Sequence, residues 1–265
     1  YLTHGGFWLL VAKIFVFVIG FGMSVAFANL MEPEKYGIYK YILSMVSITS
    51  TFSLVGMGTA VNRASAKGFE GALREGFAAS LRWSIPAVII AGSLSMYYVL
   101  RGNQIIAAGI AIGGLLSPFI AASSLYDNFL GGTQRFAAKT IYGLVRSAVP
   151  TVMLVPALFF TNNPLIFTGL YFFSTLAATL FCYQSVLARY KPNAGTDDTA
   201  TLLYSKHLSI LNIISTVIAQ LDRVLVFSQL GGASLAVYSF AEAGPDQLRS
   251  LGNIIGSLAS PKMAQ

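Results

Sequence analysis

Glu242, Asp246 and Arg249 follow one another at i, i+4 and i+7, with Tyr238 one turn before and Asn253 one turn after. That spacing puts all five on one face of a helix. They stand in an otherwise apolar stretch, 235–258. Two carboxylates and a guanidinium on one apolar helix can pair, exchange a proton or a sodium ion, or hold an anion. The preceding apolar stretch, 208–230, carries Asn212, Ser215, Ala219 and Asp222 as a polar-to-small stripe, followed by Arg223. If the two stretches cross a bilayer as a hairpin, Asp222 lies ~21 Å from one end and Glu242 ~10 Å from the other. In about 30 Å of hydrocarbon these depths nearly coincide, so Arg223 can reach Glu242. Two readings stay open: a structural ion pair holding the hairpin, or a polar cavity wall with a carboxylate that exchanges a cation.

Four more cations fall in apolar stretches: Lys13, Lys40, Arg82 and Arg146. Lys13, Arg82 and Arg146 lie ~9 Å from a stretch end at helical rise, and their stems can snorkel to the interface. Lys40 heads the stripe Lys40, Ser44, Ser47 and Thr51. That face is either a small-residue seam between helices or the lining of a wet cavity.

The elements that must carry these groups are membrane helices. The chain is 55% apolar and only 10% charged, where soluble domains carry about 25% charged residues. Seventeen basic and ten acidic side chains over 265 residues are too few to clothe a soluble core. This excludes a soluble globular domain, a disordered chain and a coiled coil. A net charge of +7 is what the positive-inside rule leaves in a membrane protein, and it argues for no nucleic-acid partner. The single cysteine, Cys182, excludes an intrachain disulfide and Cys-based zinc or iron–sulfur sites. His4 and His207 form no metal cluster, so no metal or other cofactor is expected.

Eight apolar segments are long enough to cross hydrocarbon as helices: Phe7–Leu30, Ile38–Val61, Phe77–Leu100, Gln104–Leu125, Thr140–Phe160, Leu165–Leu187, Leu208–Leu230 and Leu235–Leu258. The fold expected is all-α and polytopic. The long connections, 62–76, 126–139 and 188–207, hold Arg63, Lys67, Arg74, Arg135, Lys139, Arg189, Lys191 and Lys206. The short ones, 31–37, 101–103, 161–164 and 231–234, hold Lys35 and Arg101. This bias places the long loops and the N-terminus in the cytoplasm. Ala26-Phe27-Ala28 looks like a signal-peptidase site, but the apolar run before it exceeds a signal core of about 7–15 residues, so it reads as a retained helix. Gly244-Pro245 should interrupt helix eight and free a carbonyl. Pro86, Pro118, Pro150 and Pro156 also fall within spans.

Helices one and two echo helices seven and eight. Leu30 aligns with Leu230, and Tyr39 with Tyr238 after one residue is dropped; Arg63 then aligns with Lys262. A repeat of six helices predicts a first lobe over 1–190, a cytoplasmic linker over 191–207 and the first two helices of a second lobe over 208–265. Parallel repeats of this kind mark transporters. The chain starts at Tyr1 and stops soon after helix eight, so it is expected to be the N-terminal part of a longer protein.

Three stretches carry a family resemblance: Leu30-Met31-Glu32-Pro33-Glu34-Lys35-Tyr36-Gly37-Ile38-Tyr39, then Phe52-Ser53-Leu54-Val55-Gly56-Met57-Gly58-Thr59-Ala60-Val61-Asn62-Arg63, then Asp222-Arg223 with Ala236-Val237-Tyr238-Ser239-Phe240-Ala241. In these the chain resembles the O-antigen-type oligosaccharide and polysaccharide flippases of the multidrug/oligosaccharidyl-lipid/polysaccharide exporter superfamily. Members usually have twelve to fourteen helices, and this chain ends after eight. The resemblance implies two lobes alternating around a cationic cavity in the cytoplasmic membrane. The substrate implied is an oligosaccharide on polyprenyl pyrophosphate, with the polysaccharide polymerase and ligation machinery as candidate partners. Lys40, Arg249, Arg223 and Arg146 are then the pyrophosphate contacts, and Asp222, Glu242 and Asp246 the groups that couple transport to an ion. With no nucleotide-binding loop, ATP is not the direct driver.

Two other functions compete. A multidrug antiporter of the same superfamily would favour cations and an acidic cavity, whereas basic groups outnumber acidic ones inside these spans. A membrane glycosyltransferase or polymerase needs catalytic carboxylates near a large outer loop, and the short connections leave no room for one. The chain therefore reads as a transporter rather than an enzyme.

Overall fold

In the computed structural model, the description covers the backbone of residues 2–192 and 199–263, and the side chains of 15–192, 205, 209 and 212–245. Among the described residues every regular element is a helix. The order is α1 (Leu2–Leu30), α2 (Pro33–Ser50), α3 (Met57–Ala66), α4 (Ala72–Arg82), α5 (Ile85–Leu100), α6 (Gln104–Ser123), α7 (Leu125–Gly132), α8 (Phe136–Ala157), α9 (Pro164–Tyr190) and α10 (Thr199–Met263).

Five of the described helical segments are long and apolar enough to cross a membrane: Ala72–Leu100, Gln104–Gly132, Phe136–Ala157, Pro164–Tyr190 and Asn212–Pro245. The protein is a multi-pass membrane protein. The first two segments each join two helices across a bend. One bend sits at Trp83-Ser84 with Pro86 opening α5, where its missing N–H costs nothing. The other sits at Ser124. Among the residues whose side chains are described, α1 contributes the apolar run Phe15–Leu30. Helix α2 is more polar, with Lys40 and several Tyr and Ser, and half of its residues are buried. Its neighbours, not its own apolarity, shield it from lipid.

Four sequence expectations change. The second span is not one helix to Val61. Thr51 Oγ1 donates to Ser47 O and Ile48 O, and Ser53 Oγ to Ser50 O. Hydroxyls that compete for helix carbonyls favour a turn, so α2 ends and α3 starts afresh at Met57. Nor does Gly244-Pro245 break the last helix: the backbone stays helical there, and the non-helical residue inside α10 is Gly231, with φ 83° and ψ −177°. Only glycine reaches that conformation without strain, so the connection expected over 231–234 shrinks to one residue. The linker expected over 191–207 is helical from Thr199 onward.

At the long-connection end, α3, α4, α7 and α9 share a core of Met57, Val61, Leu73, Tyr126, Phe129, Cys182 and Val186. Arg135 ties that end together, 3.6 Å from Glu70 and 4.0 Å above the Tyr190 ring. Lys139 pairs with Asp127 at 3.0 Å. A middle core holds Tyr41, Ile42, Val46, Ile110, Phe172 and Leu235. At the short-connection end Phe27, Tyr36, Tyr39, Leu154, Phe167 and Ala236 form the third.

The two echoing hairpins meet in the last two cores. Phe27, Tyr36 and Phe240 lie in one, and Phe227, Leu235 and Tyr41 in the other. In the alignment of the hairpins, Phe27 corresponds to Phe227, Tyr36 to Leu235, and Tyr41 to Phe240. Each triad thus maps onto the other with its members exchanged between hairpins, as a pseudo-two-fold relation requires. The rings stack across the seam: Tyr36 on Phe240 at 4.6 Å and Tyr41 on Phe227 at 3.9 Å between centroids. What lets α2 and α10 approach so closely is Gly37 against Gly232. A Cβ built on Gly37 would sit 1.9 Å from the Gly232 carbonyl oxygen.

Candidate functional site

The Gly231 turn brings 212–230 and 232–245 side by side as the expected hairpin, and the matched depths are realised. Arg223 Nε donates to Glu242 Oε2 at 2.9 Å, and Arg223 Nη1 donates to Gln220 Oε1 at 3.2 Å. The side chains of Arg223 and Glu242 are 25% and 29% exposed, so the pair is largely desolvated yet still open on one side. Beside it the Tyr238 hydroxyl donates to Asp222 Oδ2 at 3.4 Å and also lies within electrostatic range of Glu242. Tyr238, Glu242, Asp222 and Arg223 therefore form one polar group on two antiparallel segments inside a membrane span.

Helix α2 brings the next residues to that group. Tyr36 stacks on Phe240 and lies within electrostatic range of Arg223. Lys40 Nζ stands 5.4 Å from the centroid of the same Tyr36 ring. Two of the cations singled out in the sequence, Lys40 and Arg223, thus converge on Tyr36 from opposite sides of the α2–α10 seam. The arrangement offers an ammonium and a guanidinium to an anion. It also holds two carboxylates able to take a proton or a sodium ion.

The rest of the Lys40 stripe divides. Ser44 and Thr51 are each 2% exposed and belong to the packing seam, while Ser47 is half-buried. The stripe on 212–222 faces outward, with Ser215, Ala219 and Asp222 exposed. Arg146 does not join the group. It lies on α8, within electrostatic range of Tyr126, Tyr171 and Cys182. The side chains of Asp246, Arg249 and Asn253 lie outside the described residues, as does that of Lys13. Tyr36 was missed as a site residue: its place against Lys40 and within electrostatic range of Arg223 shows only once α2 and α10 are packed together. Gln220, likewise, is noticed only once Arg223 is seen to reach it.

A family model described as "Polysaccharide biosynthesis protein" matches residues 2–261. No curated protein and no solved structure gives a significant match.

Proposed function

The chain belongs to the polysaccharide biosynthesis protein family, and from that premise we propose that it moves a polyprenyl-pyrophosphate-linked oligosaccharide from the cytoplasmic to the outer leaflet of the cytoplasmic membrane. The observation that carries this reading is the convergence of Lys40 and Arg223 on Tyr36 beside two intramembrane carboxylates. A pyrophosphate is the anionic part of such a substrate, and cations in a low-dielectric interior hold it strongly. Lys40, Arg223 and Arg249 are its contacts in this reading, and Asp222, Glu242 and Asp246 exchange the coupling ion.

Arg223 links the two events. While it is paired with Glu242 it is less available to an anion. A coupling ion taken up by Glu242 releases the guanidinium, and a pyrophosphate that holds Arg223 in turn leaves Glu242 open to that ion. The coupling is reciprocal, as linkage demands. The two lobes of this reading are 1–190 and a second one beginning after the 191–207 connection. The triads exchanged between the two hairpins support it.

The test is a strain lacking the protein. Surface glycan should be lost, and lipid-linked oligosaccharide should accumulate on the cytoplasmic leaflet. Normal glycan export with new sensitivity to cationic drugs would replace this reading with the efflux antiporter.

The orientation has its own measurement. Lys67 is exposed on a long connection and Asn103 on a short one, and Asn103 makes no side-chain cap bond that a substitution would remove. The native thiol of Cys182 is buried. An impermeant thiol reagent added to intact cells should label the Asn103→Cys variant and spare Lys67→Cys. The reverse pattern would place the long connections outside.

A further inference from the structure

Between α2 and α3 the chain leaves the helix over 51–56. An interruption inside the bundle frees backbone groups that must find partners. The turn supplies several of its own: Phe52 N–H donates to Thr49 O, Ser53 N–H to Ser50 O and Val55 N–H to Ser53 O. Gly56, a buried residue, reaches much further. Its N–H donates to Ser209 Oγ of α10 at 2.9 Å, across 153 positions of sequence. The same hydroxyl donates to Ser205 O at 2.8 Å, so it serves as acceptor and donor at once. Ser205 and Ser209, one turn apart on α10, are 0% and 7% exposed.

This bond stands at the long-connection end, where α3 runs on into 67–71. Elsewhere α10 meets the earlier helices through interlocked apolar groups. Val224, Phe227 and Leu235 enter the middle core, and Ala236 and Phe240 the core at the short-connection end. The core at the long-connection end, among the described residues, takes no side chain from α10. An apolar interlock is costly to pull apart. A hydrogen bond whose partners can each turn to water costs little net. The seam is therefore weakest where Gly56 meets Ser209.

We propose that, within the two-lobe transport reading on which this rests, the Gly56–Ser209 hydrogen bond is the latch that holds the long-connection end of the lobes closed, and that the 51–56 turn is the hinge on which it opens. When the latch parts, water entering at that end takes over the Gly56 N–H, and Ser209 keeps its bond to Ser205 O, so neither group is stranded. The other end, held by Gly37 against Gly232 and by the stacked rings, stays shut. Ser209 thus sets how often the first lobe opens toward the side from which the substrate enters.

The experiment uses the full-length protein in nanodiscs and a water-soluble thiol reagent. Ser205→Cys places a thiol of nearly the same shape at a buried position one turn from the latch, and the native Cys182 is itself buried. Ser209→Ala removes the hydroxyl and puts the best helix former into α10. Adding Ser209→Ala should speed modification of Ser205→Cys about two- to tenfold, the loss of one hydrogen bond from the closed state. Ser239→Cys, buried toward the other end of α10, should keep its rate. An unchanged rate in the two Ser205→Cys proteins, or no reaction in either, overturns the proposal. Equal acceleration in Ser239→Cys overturns it too, because the protein has then loosened throughout. Should Ser205→Cys disturb the seam, hydrogen exchange needs no thiol: the amides of 52–60 should exchange faster in Ser209→Ala than in the wild-type protein, and those of 232–240 should not. Unchanged exchange over 52–60 overturns the latch equally. Neither readout involves a glycan, so a failed latch leaves the transport reading to its own deletion test, and a failed transport reading leaves these rates to be measured.

Discussion

Valine in place of Gly37 abolishes glycan export and lowers the thermal midpoint of the purified protein: that is the expected result with the largest structural basis. The Cβ of any residue at this position would meet the Gly232 carbonyl oxygen at 1.9 Å and its carbon at 2.4 Å. A side chain could rotate away, but these atoms are backbone. In return, a Cβ on Gly232 would meet the Glu34 carbonyl oxygen at 2.7 Å. Neither helix yields without leaving the other, and leaving means unstacking Tyr36 from Phe240 and Tyr41 from Phe227. Overpacking a tight contact costs about 1–3 kcal/mol, and losing the two stacked ring pairs adds about 0.5–1.5 kcal/mol each. Alanine at the same place should give a graded version of the defect, and Gly232→Val should reproduce it. Surface glycan and thermal midpoint at wild-type levels in Gly37→Val would show that α2 and α10 do not approach in this way.

What the sequence conveyed and what it withheld follow from the range of the interactions involved. Apolar length is a local property, so the helical bundle and most of its segments were readable. Depth is also nearly local: counting residues from each end of a hairpin was enough to put Arg223 against Glu242. The echo between Tyr39 and Tyr238 was legible, but its consequence, that Phe27, Tyr36 and Phe240 mirror Phe227, Leu235 and Tyr41, required two hairpins folded together. The misses lie where local rules compete. Gly244-Pro245 looked like the stronger breaker, yet Gly231 is the residue that takes a positive φ. Thr51 and Ser53 turned an apolar run into two helices through their own side chains. Tyr36 was quoted only as part of a family-like stretch, since its stacking on Phe240 and its nearness to Arg223 are tertiary facts.

The Arg223–Glu242 pair separates its structural role from its transport role in one set of variants. Arg223→Gln takes from the Glu242 carboxylate its guanidinium partner, and Glu242→Gln takes from Arg223 the carboxylate 2.9 Å away. A charge stripped of its partner in a span is costly, and each single change should lose about 2 kcal/mol of stability. The double change removes both charges together, so it should be no less stable than either single variant, with a coupling energy of about 1–3 kcal/mol by double-mutant cycle. Singles whose costs simply add would mean that the 2.9 Å contact contributes nothing. Export then decides between the two readings of the pair. If Arg223 holds pyrophosphate and Glu242 releases it, the stable double variant reaches the membrane at normal abundance and exports no glycan. If the pair only staples the hairpin, the double variant restores export along with stability, and the anion contact passes to Lys40 and Arg249. Stability and export measured on the same four proteins therefore distinguish a staple from a switch, because only a switch fails when both charges are removed without harm to the fold.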